Sequence, residues 1–89
     1  MLNTEQVVKN ALASTLNFSN TDSIALSHHL RNDFQLDSMG TLMFLMKLEE
    51  LIDEFYVDPE TLETRDLETV SSIVNYINMQ MFSKNMTVH

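Results

Sequence analysis

Apolar residues recur at three- and four-residue spacing in three stretches of this 89-residue chain, the pattern of helices that bury one face. In the first stretch Val8, Ala11, Leu12 and Leu16 share a face. Asn3 stands where an N-cap belongs, and Gln6 three residues on suits a capping box, so a helix is predicted from there to about Asn17. The second stretch is denser. Leu42, Leu45, Leu48 and Ile52, joined by Met46, read as one stripe, with Met39 and Met43 on a neighbouring face. A helix this apolar is either central to the bundle or presents part of its surface to a partner. Its predicted start is Met39, capped by Asp37 or Ser38, and its predicted end is Asp53 or Glu54. In the last stretch Val70, Ile73, Val74, Ile77 and Met81 predict a helix over 68–82.

The connections carry signals of their own. Asp58-Pro59-Glu60 places an acidic cap before a proline, which predicts a short helix over 59–65 with Leu62 facing inward. Residues 18–37 are rich in Asn, Ser and Asp, yet hold Phe18, Ile24, Leu26, Leu30 and Phe34. A structureless loop of that length is uncommon in a compact domain, so these residues are expected to pin it across the helices. One glycine and one proline are too few for the tight turns of a strand-rich fold. The predicted architecture is all-α: a small four-helix bundle of three longer helices and one short one. It forms one domain over 1–82, followed by a disordered tail over 83–89.

Charge narrows the partners. A formal net charge of −8 repels phosphate backbones and anionic membranes and favours basic protein surfaces, so neither nucleic acid nor membrane is expected. With no cysteine, the chain has no disulfide, no thiolate metal site and no cysteine nucleophile. Any thiol chemistry must come from something attached to it. No apolar run approaches the roughly 20 residues of a membrane span, and the first residues lack the pattern of a signal peptide, so a cytoplasmic location is expected. His28 and His29 are adjacent and do not share a helix face, and no third ligand stands at a useful spacing; packing or solvent exposure is expected, and no metal site.

The candidate chemistry lies in Leu36-Asp37-Ser38-Met39-Gly40-Thr41, where a loop runs into the second helix. A phosphodiester on the Ser38 oxygen would lie beside unpaired amide groups at the positive end of the helix dipole. No histidine stands near enough in sequence to serve as a base, so a self-sufficient catalytic serine is not indicated and the chain reads as no enzyme. By local chemistry alone, a plain helix start is the better reading of Asp37 and Ser38.

The longer stretch Asp33-Phe34-Gln35-Leu36-Asp37-Ser38-Met39, in an acidic helical domain of this length, resembles the acyl carrier protein family. Leu30 and Asp33 match the approach to that family's serine, Leu48-Glu49-Glu50 its second helix, and Thr69-Val70 through Tyr76-Ile77 its last helix, so the resemblance covers about residues 3–80. It implies that Ser38 carries 4′-phosphopantetheine, whose thiol holds an acyl or aminoacyl group as a thioester. It also implies that Asp37 helps position the metal ion and coenzyme A of the modifying enzyme. The implied partners are a phosphopantetheinyl transferase and acyl-handling enzymes with basic docking patches, met by a monomer through Glu49 and Glu50. Met39 and Met43 would add an apolar element to that docking. Leu42, Met46, Tyr56, Leu62 and Ile77 are expected to wall a space for the carried chain.

Gln35 stands where the family has glycine, Gly40 and Met43 where fatty-acid carriers are commonly acidic, and the segment from Leu51 to Asp66 is longer than usual. These departures point to a specialised polyketide or fatty-acid-type pathway. The Leu36 to Thr41 motif also resembles that of D-alanyl carriers, although the tryptophan of those proteins is missing. An aminoacyl carrier and a non-covalent acidic helical adaptor therefore stand as alternatives.

Overall fold

The computed structural model describes residues 3–58 and 60–86, the last four by backbone alone. Helix α1 spans Thr4–Leu16. The Asn3 side chain caps it, accepting from the Gln6 N–H at 3.1 Å. The Gln6 amide does not return the bond; it donates to Asn10 at 3.0 Å and to Thr21 at 3.4 Å, tying the helix to the loop beyond it. At the other end Asn17 adopts a left-handed conformation with φ 65°, which asparagine tolerates better than most residues. Val8, Ala11 and Leu12 are buried as their spacing predicts.

Helix α2 spans Ser38–Leu51 and helix α3 Val70–Met86. Helix α1 packs against both. Phe44 and Leu48 from α2, Phe55 and Ile52 after it, and Val70, Ile73, Tyr76 and Ile77 from α3 complete one core with α1. The stripe predicted for α2 is thus only partly the buried one. Leu42 and Met46 are exposed, while Phe44 takes the interior position with Leu48 and Ile52, and Leu45 packs at the edge. A helix apolar on nearly every side leaves its own orientation undecided, and the bulkiest side chain gains most from burial.

The 18–37 segment is pinned by part of the expected set: Ile24 and Leu30 are inside and Phe34 packs against the core, whereas Phe18 and Leu26 are exposed. Leu36 is buried as well. Leu30 N–H donates to the Glu68 carbonyl at 2.9 Å, and Val70 and Ser71 donate back to His28 and Leu26, at 3.1 and 2.9 Å. His28 accepts the Ala25 N–H on Nδ1 at 2.9 Å and meets the Phe34 ring edge-on, a packing role.

The short helix predicted over 59–65 is not there; among the described residues the longer helices are three, joined by a 3₁₀ turn at Thr64–Leu67. Asp58 does act as a cap, since its carboxylate accepts from Glu60 and its carbonyl from Thr61 and Leu62. That turn closes on itself, and Glu63 is then extended, with φ −110° and ψ 162°, which ends any helix begun at Asp58. Pro59 lies outside the described residues. The last helix begins two residues later than predicted because Thr69 and Ser72 cap it reciprocally, at 2.9 and 3.0 Å. It continues through Met86, into the predicted tail; Thr87 to His89 lie outside the described residues.

Candidate functional site

The approach to α2 is a closed loop. Asp33 accepts the His29 N–H on its carboxylate at 2.6 Å and donates its own N–H to the His29 carbonyl at 2.9 Å, while Leu36 N–H reaches the Leu30 carbonyl at 3.1 Å. Buried Leu36 anchors the end of this loop, and Gln35 before it turns the chain with φ 56°. That is a left-handed conformation, which a residue with a Cβ adopts at a cost and glycine, the residue expected here from the family resemblance, adopts freely.

Asp37 is the N-cap: its carboxylate accepts the Gly40 N–H at 2.7 Å and its carbonyl the Thr41 N–H at 2.8 Å. The helix therefore starts at Ser38, one residue earlier than predicted. Ser38 is exposed, and no hydrogen bond within the described residues engages its hydroxyl. A Cβ on Gly40 would meet Leu36 Cδ2 at 2.9 Å and the Asp37 carboxylate at 3.2 Å. Gly40 thus makes room for the anchor Leu36 and the cap Asp37, the two residues that lead into Ser38.

Ser38 opens on a cleft of about 470 Å³. Leu30, Arg31 and Leu36 come from the loop, Ser38 and Thr41 from α2, and Thr64, Leu67 and Glu68 from the 3₁₀ turn and the residue after it. None of the five residues expected to wall a chain-binding space lines it. Ile77 is in the core, Leu62 packs against the core, and Leu42, Met46 and Tyr56 are exposed. The cleft lining comes from segments about 30 residues apart, and no local pattern announces it.

The residues expected to meet partners divide. Met39 and Met43 are 64% and 54% exposed and lie with Leu42 and Met46 on the side of α2 away from the core. From Ser38 to Leu48 the single charged residue is Lys47, so this face is apolar in an otherwise acidic chain. Glu50 is exposed and pairs with Lys47 at 3.4 Å. Glu49 is half-buried, and its carboxylate accepts the Val57 N–H at 2.8 Å. It holds the segment after α2 in place.

No protein-family model matches the chain. The fold does have a solved counterpart. The solution NMR structure of a holo acyl carrier protein from Nitrosomonas europaea is similar to it with a TM-score of 0.76 and 25% sequence identity, covering 91% of this chain and 99% of that one. The chain has an acyl-carrier-protein-like fold, in agreement with the resemblance of the residues around Ser38. Among the described residues no helix is long and apolar enough to cross a membrane.

Proposed function

We propose that this chain, with its acyl-carrier-protein-like fold, is a carrier whose Ser38 hydroxyl receives 4′-phosphopantetheine from coenzyme A. The observation that carries the reading is an exposed hydroxyl, unengaged within the described residues, at the first position of a capped helix and on the rim of a cleft. The residues present fit the group: the oxygen is accessible, its neighbours are held without it, and the cleft beside it has room for the start of an arm. The likeness to a holo carrier protein supports the same reading.

In the loading step the Ser38 oxygen attacks the β-phosphorus of coenzyme A. The new oxygen–phosphorus bond forms as the diphosphate bridge breaks, adenosine 3′,5′-bisphosphate leaves, and the serine proton passes to a base of the transferase. Asp37 contributes twice. One carboxylate oxygen caps Gly40 and so fixes where Ser38 points, and the other remains available to a metal ion on the transferase. Once attached, the group supplies a terminal thiol that holds an acyl or aminoacyl cargo.

The protein's own residues then govern delivery. Tethering raises the local concentration of cargo at a docked enzyme. Met39 and Met43, with Leu42 and Met46, form an exposed apolar surface along α2 that begins at the residue after the attachment point, and the exposed Glu50 follows further along the helix. Glu49 serves docking indirectly, by holding the scaffold. The departures from the fatty-acid pattern at Gln35, Gly40 and Met43 support a specialised polyketide or fatty-acid-type pathway. Intact mass after treatment with coenzyme A and a broad-specificity phosphopantetheinyl transferase tests the assignment. The parent should gain the mass of one phosphopantetheine, and Ser38→Ala should fold normally and gain none. A parent that gains no mass would leave the apolar α2 face as the mark of a non-covalent adaptor.

A further inference from the structure

Lysines and arginines number five in this chain, and among the described side chains three of the four are paired. Lys9 meets Glu5 at 2.8 Å, Lys47 meets Glu50 at 3.4 Å and Arg65 meets Glu63 at 3.0 Å. Among the described side chains Arg31 is the one lysine or arginine with no carboxylate within 4.0 Å. It lines the same cleft as Ser38. Its backbone is held there by the closed loop from His29 to Leu36 and by the Leu30 to Glu68 bond at 2.9 Å, so its reach toward Ser38 is set by the fold. Leu30, Leu36 and Leu67 supply the apolar part of the cleft lining. Glu68 also lines it, yet does not pair with Arg31.

A phosphodiester on Ser38 would place a full negative charge beside Asp37, in a chain already at −8. A guanidinium is the side chain best matched to it, because its planar fork donates to two phosphate oxygens at once. We propose that Arg31 is the counter-ion of the phosphodiester on Ser38, and that this pair folds the first part of the arm into the cleft over Leu30, Leu36 and Leu67. The inference rests on the carrier reading. Its consequence is a loaded carrier whose arm rests against its own surface and is drawn out when an enzyme competes for it.

The experiment compares the parent with Arg31→Gln, Arg31→Lys and a control, Lys47→Gln, each treated with coenzyme A and a broad-specificity transferase. Intact mass is read first; a parent that gains none overturns the carrier reading and this inference with it. Amide NMR spectra of unloaded and loaded protein are then compared. In the parent and in Lys47→Gln, loading should shift the amides of 29–31 and 64–68 as well as those next to Ser38. In Arg31→Gln the amides next to Ser38 should still shift while the other two groups stay at their unloaded positions, and Arg31→Lys should restore part of the effect. Loaded Arg31→Gln with the full set of shifts would overturn the inference while leaving the carrier reading intact. The loaded parent supplies a measurement that needs no variant. Added NaCl screens an exposed pair of this kind, so it should return the 29–31 and 64–68 amides toward their unloaded positions. Indifference to salt there would also count against Arg31.

Discussion

Replacing Glu49 by alanine removes the acceptor of one backbone hydrogen bond, yet that bond is one of the side-chain ties holding the connection between α2 and α3 to the bundle. The Glu49 carboxylate takes the Val57 N–H at 2.8 Å from the α2 side. From the α3 side the Tyr76 hydroxyl accepts the Asp58 N–H at 3.2 Å, and its ring meets Phe55 edge-on at 6.4 Å. Hydrogen bonds to ionised groups contribute about 1.5–3 kcal/mol. Glu49 and Val57 are both half-exposed, so water recovers part of that, and the better helix propensity of alanine returns a few tenths of a kcal/mol. The net loss expected for Glu49→Ala is about 1 kcal/mol, which lowers the melting temperature of a domain this size by about 4–8 °C. Glu49→Gln keeps a weaker acceptor and should fall between alanine and the parent. Glu50→Ala is the control: its partner Lys47 is 3.4 Å away on the surface, and loss of such a pair changes stability by less than about 1 kcal/mol. Thermal melts followed by circular dichroism read all four proteins. Should Glu49→Ala melt with the parent, the scaffold role of Glu49 is wrong and the docking role implied by the family resemblance is the better one.

Asp37 and Met43 offer independent tests. Asp37→Ala deletes the α2 cap and should cost about 1 kcal/mol in urea unfolding, whereas Asp37→Asn keeps an acceptor for Gly40 and should hold most of the stability. If the free carboxylate oxygen serves the transferase metal, Asp37→Asn should nevertheless load slowly; a parental loading rate would remove that role. Met43→Glu puts a charge on the exposed apolar face of α2. Burying a methionine side chain contributes roughly 1.5–3 kcal/mol, so affinity for a partner enzyme that covers it should drop about tenfold or more, with a steeper dependence on NaCl. Equal affinities and equal salt slopes would show that the face is not covered in the complex.

The face that α2 turns inward shows where local pattern stops being informative. The cap at Asn3, the end of α1 near Asn17 and a cap at Asp37 or Ser38 are legible in the sequence because helix-end groups are satisfied within four residues of the chain. The α1 stripe is legible because polar residues surround it, and the acidity of the chain follows from simple counting. On α2 the apolar residues encircle the helix, so the sequence stripe took Leu42 inward and passed over Phe44, whereas in the packed core Phe44 is buried and Leu42 is exposed. Asp58 announces a helix start, but the extended Glu63 and the reciprocal bonds between Glu63 and Asp66 divert the chain into a 3₁₀ turn.

The site divides in the same way. Ser38 and the helix start beside it belong to a short contiguous motif that the sequence shows by itself; which of Asp37 and Ser38 caps the helix was open there, and the structure gives the cap to Asp37. The cleft beside it, with Arg31 on one wall and Thr64 and Glu68 on another, exists only because the loop is hydrogen-bonded to the start of α3. Glu49 acquires its task in the same way, from a backbone N–H eight residues further along that folding brings within 2.8 Å. Groups whose partners lie nearby in the chain can be read before folding; those whose partners arrive from elsewhere take their roles from the packed core that brings them together.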